Sequence, residues 1–248
     1  MYLFRLINKW GVAAIFVIGL LPVTSCNKLL DPGAPANKVT TPQVYASDSL
    51  AQAALIGVYI KIMESFGPLN GYMSRFAGLA ADELNRTSTS DVDQPFLTNV
   101  ISPEDKTIRY IWTTFYSYIY QCNDLAEGLT TPNNITPALR SQLLGEAYFL
   151  RALCYFYLVV LYGDVPLALN TDYTKNATKH RTPATEVYDQ MIEDLNAAQS
   201  LLADKYFTTT DSSARVRANR LAAKALLARI YLYHEQWANA AAEATAVI

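Results

Sequence analysis

Histidines, cysteines and charged side chains are all scarce in this 248-residue sequence. It has two histidines and three cysteines, and Asp, Glu, Lys and Arg together make up only 17% of the chain. The cysteines form no CxxC pair, which excludes a disulfide framework and the spacing of a zinc site, although a bridge between Cys122 and Cys154 stays open. Nucleophile motifs and glycine-rich phosphate loops are also absent. We therefore expect no cofactor and no metal, and an enzyme is disfavoured.

The positive and negative charges nearly cancel, and the net charge of a protein indicates which classes of partner it can attract. The formal net charge is −2, and without residues 1–25, which hold Arg5 and Lys9, 18 basic residues face 22 acidic ones. A small acidic excess of this kind argues against nucleic acid as a partner.

No unbroken apolar run is long enough to cross a membrane. In the apolar stretch from Leu143 to Tyr162 the longest unbroken run, from Ala152 to Tyr162, has eleven residues, whereas a spanning helix needs about 20. Hydrophobic residues nevertheless make up 51% of the chain, which is too apolar for a disordered protein. Tyrosine is abundant, with 17 residues against nine Phe and three Trp. Such usage suits helix packing, and it also suits surfaces that bind sugars or proteins.

The first 25 residues have the pattern of a secretory signal peptide. Arg5 and Lys9 precede an apolar segment from Gly11 to Leu21, which is too short to span a bilayer. Small residues then lead directly to Cys26, as in a bacterial lipobox, so we predict that Cys26 becomes the lipidated N-terminus. Several acyl chains would anchor the protein stably in a membrane. The alternative is an ordinary signal peptide with an incidental cysteine.

The remainder of the chain is predicted to be a tether followed by a helical domain. Prolines and a glycine mark residues 26–42 as the tether, and residues 43–248 are expected to contain about seven helices. Apolar stripes and capping residues predict helices that begin at Asp48, Ser74, Ser102 and Thr182, with Asn219 and Trp237 opening the last two. The predicted first, second and third helices end near Glu64, Leu84 and Leu129.

The stretch around which the domain is organised lies between Arg140 and Leu169. Nearly every position from Leu143 to Tyr162 is apolar, with Glu146 and Arg151 as the exceptions. Such a helix is typical of the buried centre of a helical domain. Gly163 suits a left-handed cap, and Pro166 excludes further helix, so the helix is predicted to end there.

This stretch resembles the signature helix of the SusD/RagB family of outer-membrane nutrient-binding lipoproteins. The resembling residues are Gly145-Glu146-Ala147, Phe149-Leu150-Arg151-Ala152, Tyr155-Phe156 and Gly163-Asp164-Val165-Pro166-Leu167. Positions in other helices, among them Trp112, Tyr116 and Asn123, are also similar to the family. Leu227, Tyr231, Trp237 and Ala240 have the spacing of a tetratricopeptide helix pair. We therefore predict an all-α fold of tetratricopeptide-like antiparallel helix pairs with irregular loops.

The resemblance also implies a function and a location. It implies a lipid-anchored protein of the outer membrane, exposed at the cell surface, that binds a nutrient and delivers it to a SusC-like TonB-dependent transporter. A glycan is the expected nutrient, bound by ring stacking and hydrogen bonds without a covalent step. Two alternatives stay open. One is a lipid-anchored adaptor that binds protein partners through its helix pairs. The other is an anchored hydrolase, although no group of residues in the sequence supports a catalytic site.

Phe96 and Asn99 are the predicted ligand-binding residues. They follow a polar surface loop, residues 85–94, close to where family members place part of their sugar site. An aromatic ring and an amide three residues apart could supply a stacking face and a hydrogen-bonding group. The alternative is that Phe96 only packs the loop onto the scaffold. Asp91 and Asp93 lack the other ligands of a calcium loop, so no metal is expected there.

The sequence is also expected to be the N-terminal part of a longer protein. Ala240, Ala244, Val247 and Ile248 would form an apolar stripe on the last helix, and no Gly, Pro or basic turn follows to end that helix. Members of the SusD/RagB family continue beyond this point. A later segment is therefore expected to cover the stripe and to complete the binding site.

Overall fold

The computed structural model of the protein describes residues 41–64, 67–86, 90–131, 134–207 and 216–248. The predicted signal peptide, Cys26 and nearly all of the predicted tether lie outside these residues. Within them the regular structure is helical, with no β-strand. The helices are α1 (Thr41–Val44), α2 (Asp48–Ile62), α3 (Tyr72–Ala80), α4 (Gln94–Leu97), α5 (Lys106–Thr130), α6 (Pro137–Tyr162), α7 (Tyr173–Asn176), α8 (Ala184–Leu201), α9 (Arg220–Tyr233) and α10 (Trp237–Thr245).

Helix α2 follows its sequence pattern closely. The Ser47 hydroxyl accepts a hydrogen bond from the backbone N–H of Leu50, which caps the first turn. The predicted apolar stripe is buried, and its members are Ala51, Leu55, Val58 and Ile62. A spacing of three and four residues places these side chains on one face, against the helices that follow.

Two predicted helix boundaries are wrong by several residues. Helix α5 begins at Lys106 and not at Ser102, because the Asp105 carboxylate accepts hydrogen bonds from the N–H groups of Thr107 and Ile108. Helix α3 ends at Ala80 and not at Leu84. Asp82 lies in the left-handed region, with φ of 59°, so the chain leaves the helix before Asp82 and Glu83.

Helix α6 is the centre of the fold, as predicted, and it is longer than its apolar run. It begins at Pro137, where the missing N–H of proline leaves no hydrogen bond unmade. It ends at Gly163, whose φ of 67° favours glycine. Among the described residues it is the single helix long and apolar enough to cross a membrane, yet 67% of its most apolar stretch is buried inside the protein.

The long helices that follow one another along the chain pack against each other. Helix α5 packs on α6, α6 on α8, α8 on α9 and α9 on α10. Leu227 on α9 and Ala240 on α10, two of the predicted tetratricopeptide positions, are both buried. The prediction of an all-α fold with tetratricopeptide-like helix pairs is confirmed.

Candidate functional site

Phe96 and Asn99 both take part in local packing. Phe96 lies in α4 with 4% of its surface exposed, and its ring centroid is 4.3 Å from that of Phe76. Asn99 has φ of 54°, and its amide donates a hydrogen bond of 3.1 Å to the Ala80 carbonyl. The Phe96 ring is therefore largely enclosed by its neighbours in this conformation. Ligand contact by this pair stays a prediction.

A small second core surrounds Phe96. Phe76, Leu79 and Phe96 form it, and the Arg75 guanidinium lies 2.7 Å from the Asp93 carboxylate beside it. The two phenylalanine rings line one wall of an apolar pocket of about 180 Å³ between α3, α5 and the end of α6. Tyr72 and Tyr162 are the residues of its lining that carry hydroxyl groups.

Arg151, one of the two charges in α6, is paired inside the core. Its guanidinium donates two hydrogen bonds, of 2.7 and 2.6 Å, to the two carboxylate oxygens of Asp194 on α8. A third, of 2.8 Å, goes to the Asn123 side-chain oxygen on α5. All three residues are buried. The network joins three helices, and this explains why a cation interrupts an otherwise apolar helix.

Glu146, the other charge in α6, is paired in the same manner. The Arg217 guanidinium donates hydrogen bonds of 3.0 and 2.7 Å to its two carboxylate oxygens, and Gln142 donates another of 2.7 Å. Burial and the nearby Glu146 carboxylate raise the pKa of Tyr59, whose hydroxyl accepts from the Ala218 N–H. The pair holds the segment before α9 on the core, so we assign it a structural role and not a catalytic one.

The segment after α6 is held in place through its backbone. The Tyr155 hydroxyl donates to the Ala168 carbonyl at 2.9 Å and accepts from the Ala168 N–H at 2.8 Å. The Tyr116 hydroxyl donates to the Pro166 carbonyl at 2.7 Å. The Asn123 amide donates to the carbonyls of Ala168 and Asn170. Side chains of α5 and α6 thus fix the course of residues 166–170.

A cleft of about 330 Å³ opens between α5 and this segment. We call it the tyrosine cleft. It is lined by Tyr116, Ile119, Tyr120, Asn123, Ala168, Asn170, Thr171, Tyr173, Asn176 and Ala177. Tyr120 projects from α5 and Tyr173 from α7, and their exposed fractions are 53% and 79%. Aromatic rings and amides around a concave surface are the groups that small polar ligands use.

The lining of the tyrosine cleft carries no charged side chain. Carboxylates lie just behind it. The Glu127 carboxylate accepts hydrogen bonds from the N–H and hydroxyl of Thr171. The Asp172 carboxylate caps α7, and hydrogen bonds from Thr174 and Lys175 lower the pKa of Asp172 to about 2. The Lys175 ammonium lies 3.1 Å from this carboxylate.

Sequence reasoning did not single out Tyr120, Tyr173 or Asn176. The abundance of tyrosine is a signal, but residues 170–179 have the composition of an ordinary polar loop. What the sequence could not supply is the proximity of α5 to a loop some fifty residues further along the chain. The described residues contain no group of three or more His, Cys, Asp and Glu side chains that could hold a metal ion.

Comparison with known proteins shows the family. Residues 37–232 match a SusD-like family model whose description is "Starch-binding associating with outer membrane". This match covers most of the chain, so the protein belongs to the SusD-like family, and the resemblance found in the sequence is confirmed.

Individual relatives agree with this assignment. The chain is 26% identical to SusD-like protein P38 of Formosa agariphila over 96% of its own length and 45% of that protein. A SusD-like protein of Bacteroides ovatus is 25% identical over 95% of this chain and 41% of its own. The chain thus spans less than half the length of these relatives.

Solved structures of the family share the fold. A "Laminarin binding SusD-like protein" superposes with a TM-score of 0.72 and 29% identity over 82% of this chain and 44% of its own. A SusD-like protein of Bacteroides fragilis gives a TM-score of 0.69 and 25% identity over 87% of this chain and 40% of that one.

Proposed function

We propose that this protein is a lipid-anchored outer-membrane protein that binds a nutrient glycan at the cell surface and delivers it to a SusC-like TonB-dependent transporter. It acts by binding and carries out no covalent step. The observation that supports this best is the match of residues 37–232 to a family described as starch-binding and associated with the outer membrane. A related structure, 29% identical, is named for laminarin binding.

The structure adds physical support for binding. The tyrosine cleft combines exposed aromatic rings with amides on a backbone that is fixed from the core. Preorganised surfaces bind more tightly because less conformational entropy is lost when the ligand arrives.

A glycan array and a membrane pull-down test the proposal together. The purified chain should bind at least one saccharide on an array of soluble polysaccharides and their oligomers, and it should co-purify with a TonB-dependent transporter from outer membranes. Binding to protein partners alone, with no saccharide bound, would favour the adaptor function instead.

Lipidation of Cys26 gives a separate prediction. Replacing Cys26 by serine should reduce incorporation of a fatty-acid probe to background and release the protein from the membrane fraction, because only a thiol accepts the first acyl group. Labelling is measured in cells, with Cys154→Ala as the control, since Cys154 is buried in α6. Unchanged labelling of the Cys26 variant would show that the cysteine is incidental.

A further inference from the structure

Two tyrosine rings in the tyrosine cleft face solvent. Tyr173 is 79% exposed and Tyr120 is 53% exposed, although both are large and partly apolar. They come from different elements, α5 and α7, and still line one cleft. The flat C–H face of a sugar ring packs against an aromatic ring, while tyrosine hydroxyls remain free to hydrogen-bond with sugar hydroxyls.

Asn176 supplies an acceptor in the same wall. Its side-chain N–H donates to the Asn170 carbonyl at 2.8 Å, which fixes the orientation of the amide. Its Oδ1 atom is buried and has no hydrogen-bond partner within the part of the chain that the structure describes. Buried polar atoms of folded proteins are normally paired. Because Asn176 lines the cleft, a side-chain movement that exposes this oxygen would let a sugar hydroxyl satisfy it.

The charges around the cleft restrict the class of ligand. The lining is uncharged, but the Glu127 carboxylate is hydrogen-bonded to Thr171 of the lining, and Asp172 lies between the lining residues Thr171 and Tyr173 in the chain. Of the two lysines nearby, Lys175 is paired with Asp172, and the Lys179 ammonium donates a hydrogen bond of 2.7 Å to the Leu167 carbonyl. A sulfated or uronic-acid sugar would find no cation in the lining and would lie near two carboxylates, whereas a neutral sugar would meet no such repulsion.

From these three observations we infer that the tyrosine cleft is a subsite for neutral sugar rings, with Tyr120 and Tyr173 as stacking faces and Asn176 as a hydrogen-bond acceptor. The inference rests on the proposed function and adds to it a location and a ligand class. It also places a subsite away from Phe96 and Asn99.

Calorimetric titration with neutral oligosaccharides tests the inference. Hexamers of glucose, mannose and xylose in several linkages are the probes, with an alginate hexamer as the anionic comparison. We expect Tyr120→Ala and Tyr173→Ala each to raise the Kd of the best neutral hexamer roughly three- to tenfold, the effect of losing one aromatic contact. Tyr173→Phe keeps the ring and should stay within about twofold of the unaltered chain.

The control is Tyr233→Ala, which removes a tyrosine of similar exposure, 54%, from α9. It should leave the Kd unchanged. Affinity for the neutral hexamer should also be the same at low and high salt, because no ion pair forms. Both cleft tyrosines are exposed, so these variants should keep the thermal stability of the unaltered chain.

The outcomes separate the inference from the proposed function. If the unaltered chain binds a saccharide and both cleft variants bind it equally well, the inferred subsite is wrong, whereas the proposed glycan-binding function is supported. The same holds if only the double substitution of Phe96 and Asn99 by alanine weakens binding, or if alginate is preferred. If the unaltered chain binds no saccharide, the proposed function falls and the subsite falls with it.

Discussion

Replacing Arg151 by alanine is expected to lower the free energy of unfolding by about 3–5 kcal/mol, the range for removing one partner of a buried ion pair. The variant leaves the buried Asp194 carboxylate without its two strongest donors and Asn123 without one. A cavity also opens between α5, α6 and α8, and it adds to the loss. Chemical denaturation followed by circular dichroism measures the change.

Two further variants show whether the loss comes from the buried charge. Replacing both Arg151 by methionine and Asp194 by leucine should recover much of the stability, because no charge is then left unpaired in the core. Arg109→Ala removes a cation from an exposed pair with Glu104 and should change stability by less than about 1 kcal/mol. Equal losses in Arg109→Ala and Arg151→Ala would contradict the role given to the buried network.

Alkaline unfolding is the second large effect that we expect, beginning near pH 10 and complete near pH 12. Burial raises the pKa of Tyr118 and of Tyr162 to about 12, and it raises the pKa of Tyr155 still further. In the unfolded chain a tyrosine ionises near pH 10. The native state therefore holds these protons longer, its stability is intact below pH 10, and it is lost as pH rises toward 12.

Absorbance of tyrosinate and helical circular dichroism, recorded in one titration, test this expectation. The last tyrosines should ionise in step with the loss of helix. Tyr162→Phe removes one ionising group, along with a hydrogen bond of 2.8 Å to the Ile108 carbonyl, and should move the midpoint of alkaline unfolding to higher pH. Complete ionisation with the helices intact would mean that the tyrosine hydroxyls are accessible in the native state.

Much of the fold could be predicted because local signals and burial agree in the long helices. Gly163 and Pro166 predict the end of α6 correctly. The apolar stripe of α2 is buried, as its spacing indicates. The predicted start of α5 was wrong because two acceptable capping residues, Ser102 and Asp105, lie three residues apart. The choice between them depends on tertiary packing, which the local sequence does not contain.

The candidate site was less predictable, since it depends on contacts between distant segments. Glu146 and Arg151 stood out in the sequence as interruptions, but their partners Arg217 and Asp194 lie 71 and 43 residues away. Nothing local joins such positions. Phe96 was a reasonable candidate as an aromatic after a polar loop, and the structure shows that its ring is used for packing.

The hydrogen bonds that hold residues 166–170 determine which nearby positions can be substituted without a change of backbone. They end on main-chain carbonyls and an N–H, which every non-proline residue carries whatever its side chain. Exposed positions just beyond, such as Tyr173 and Ala177, can therefore change by point mutation without altering the framework. The backbone course of this segment is thereby independent of the side chains exposed beyond it, so the surface of the cleft can vary without a change of fold.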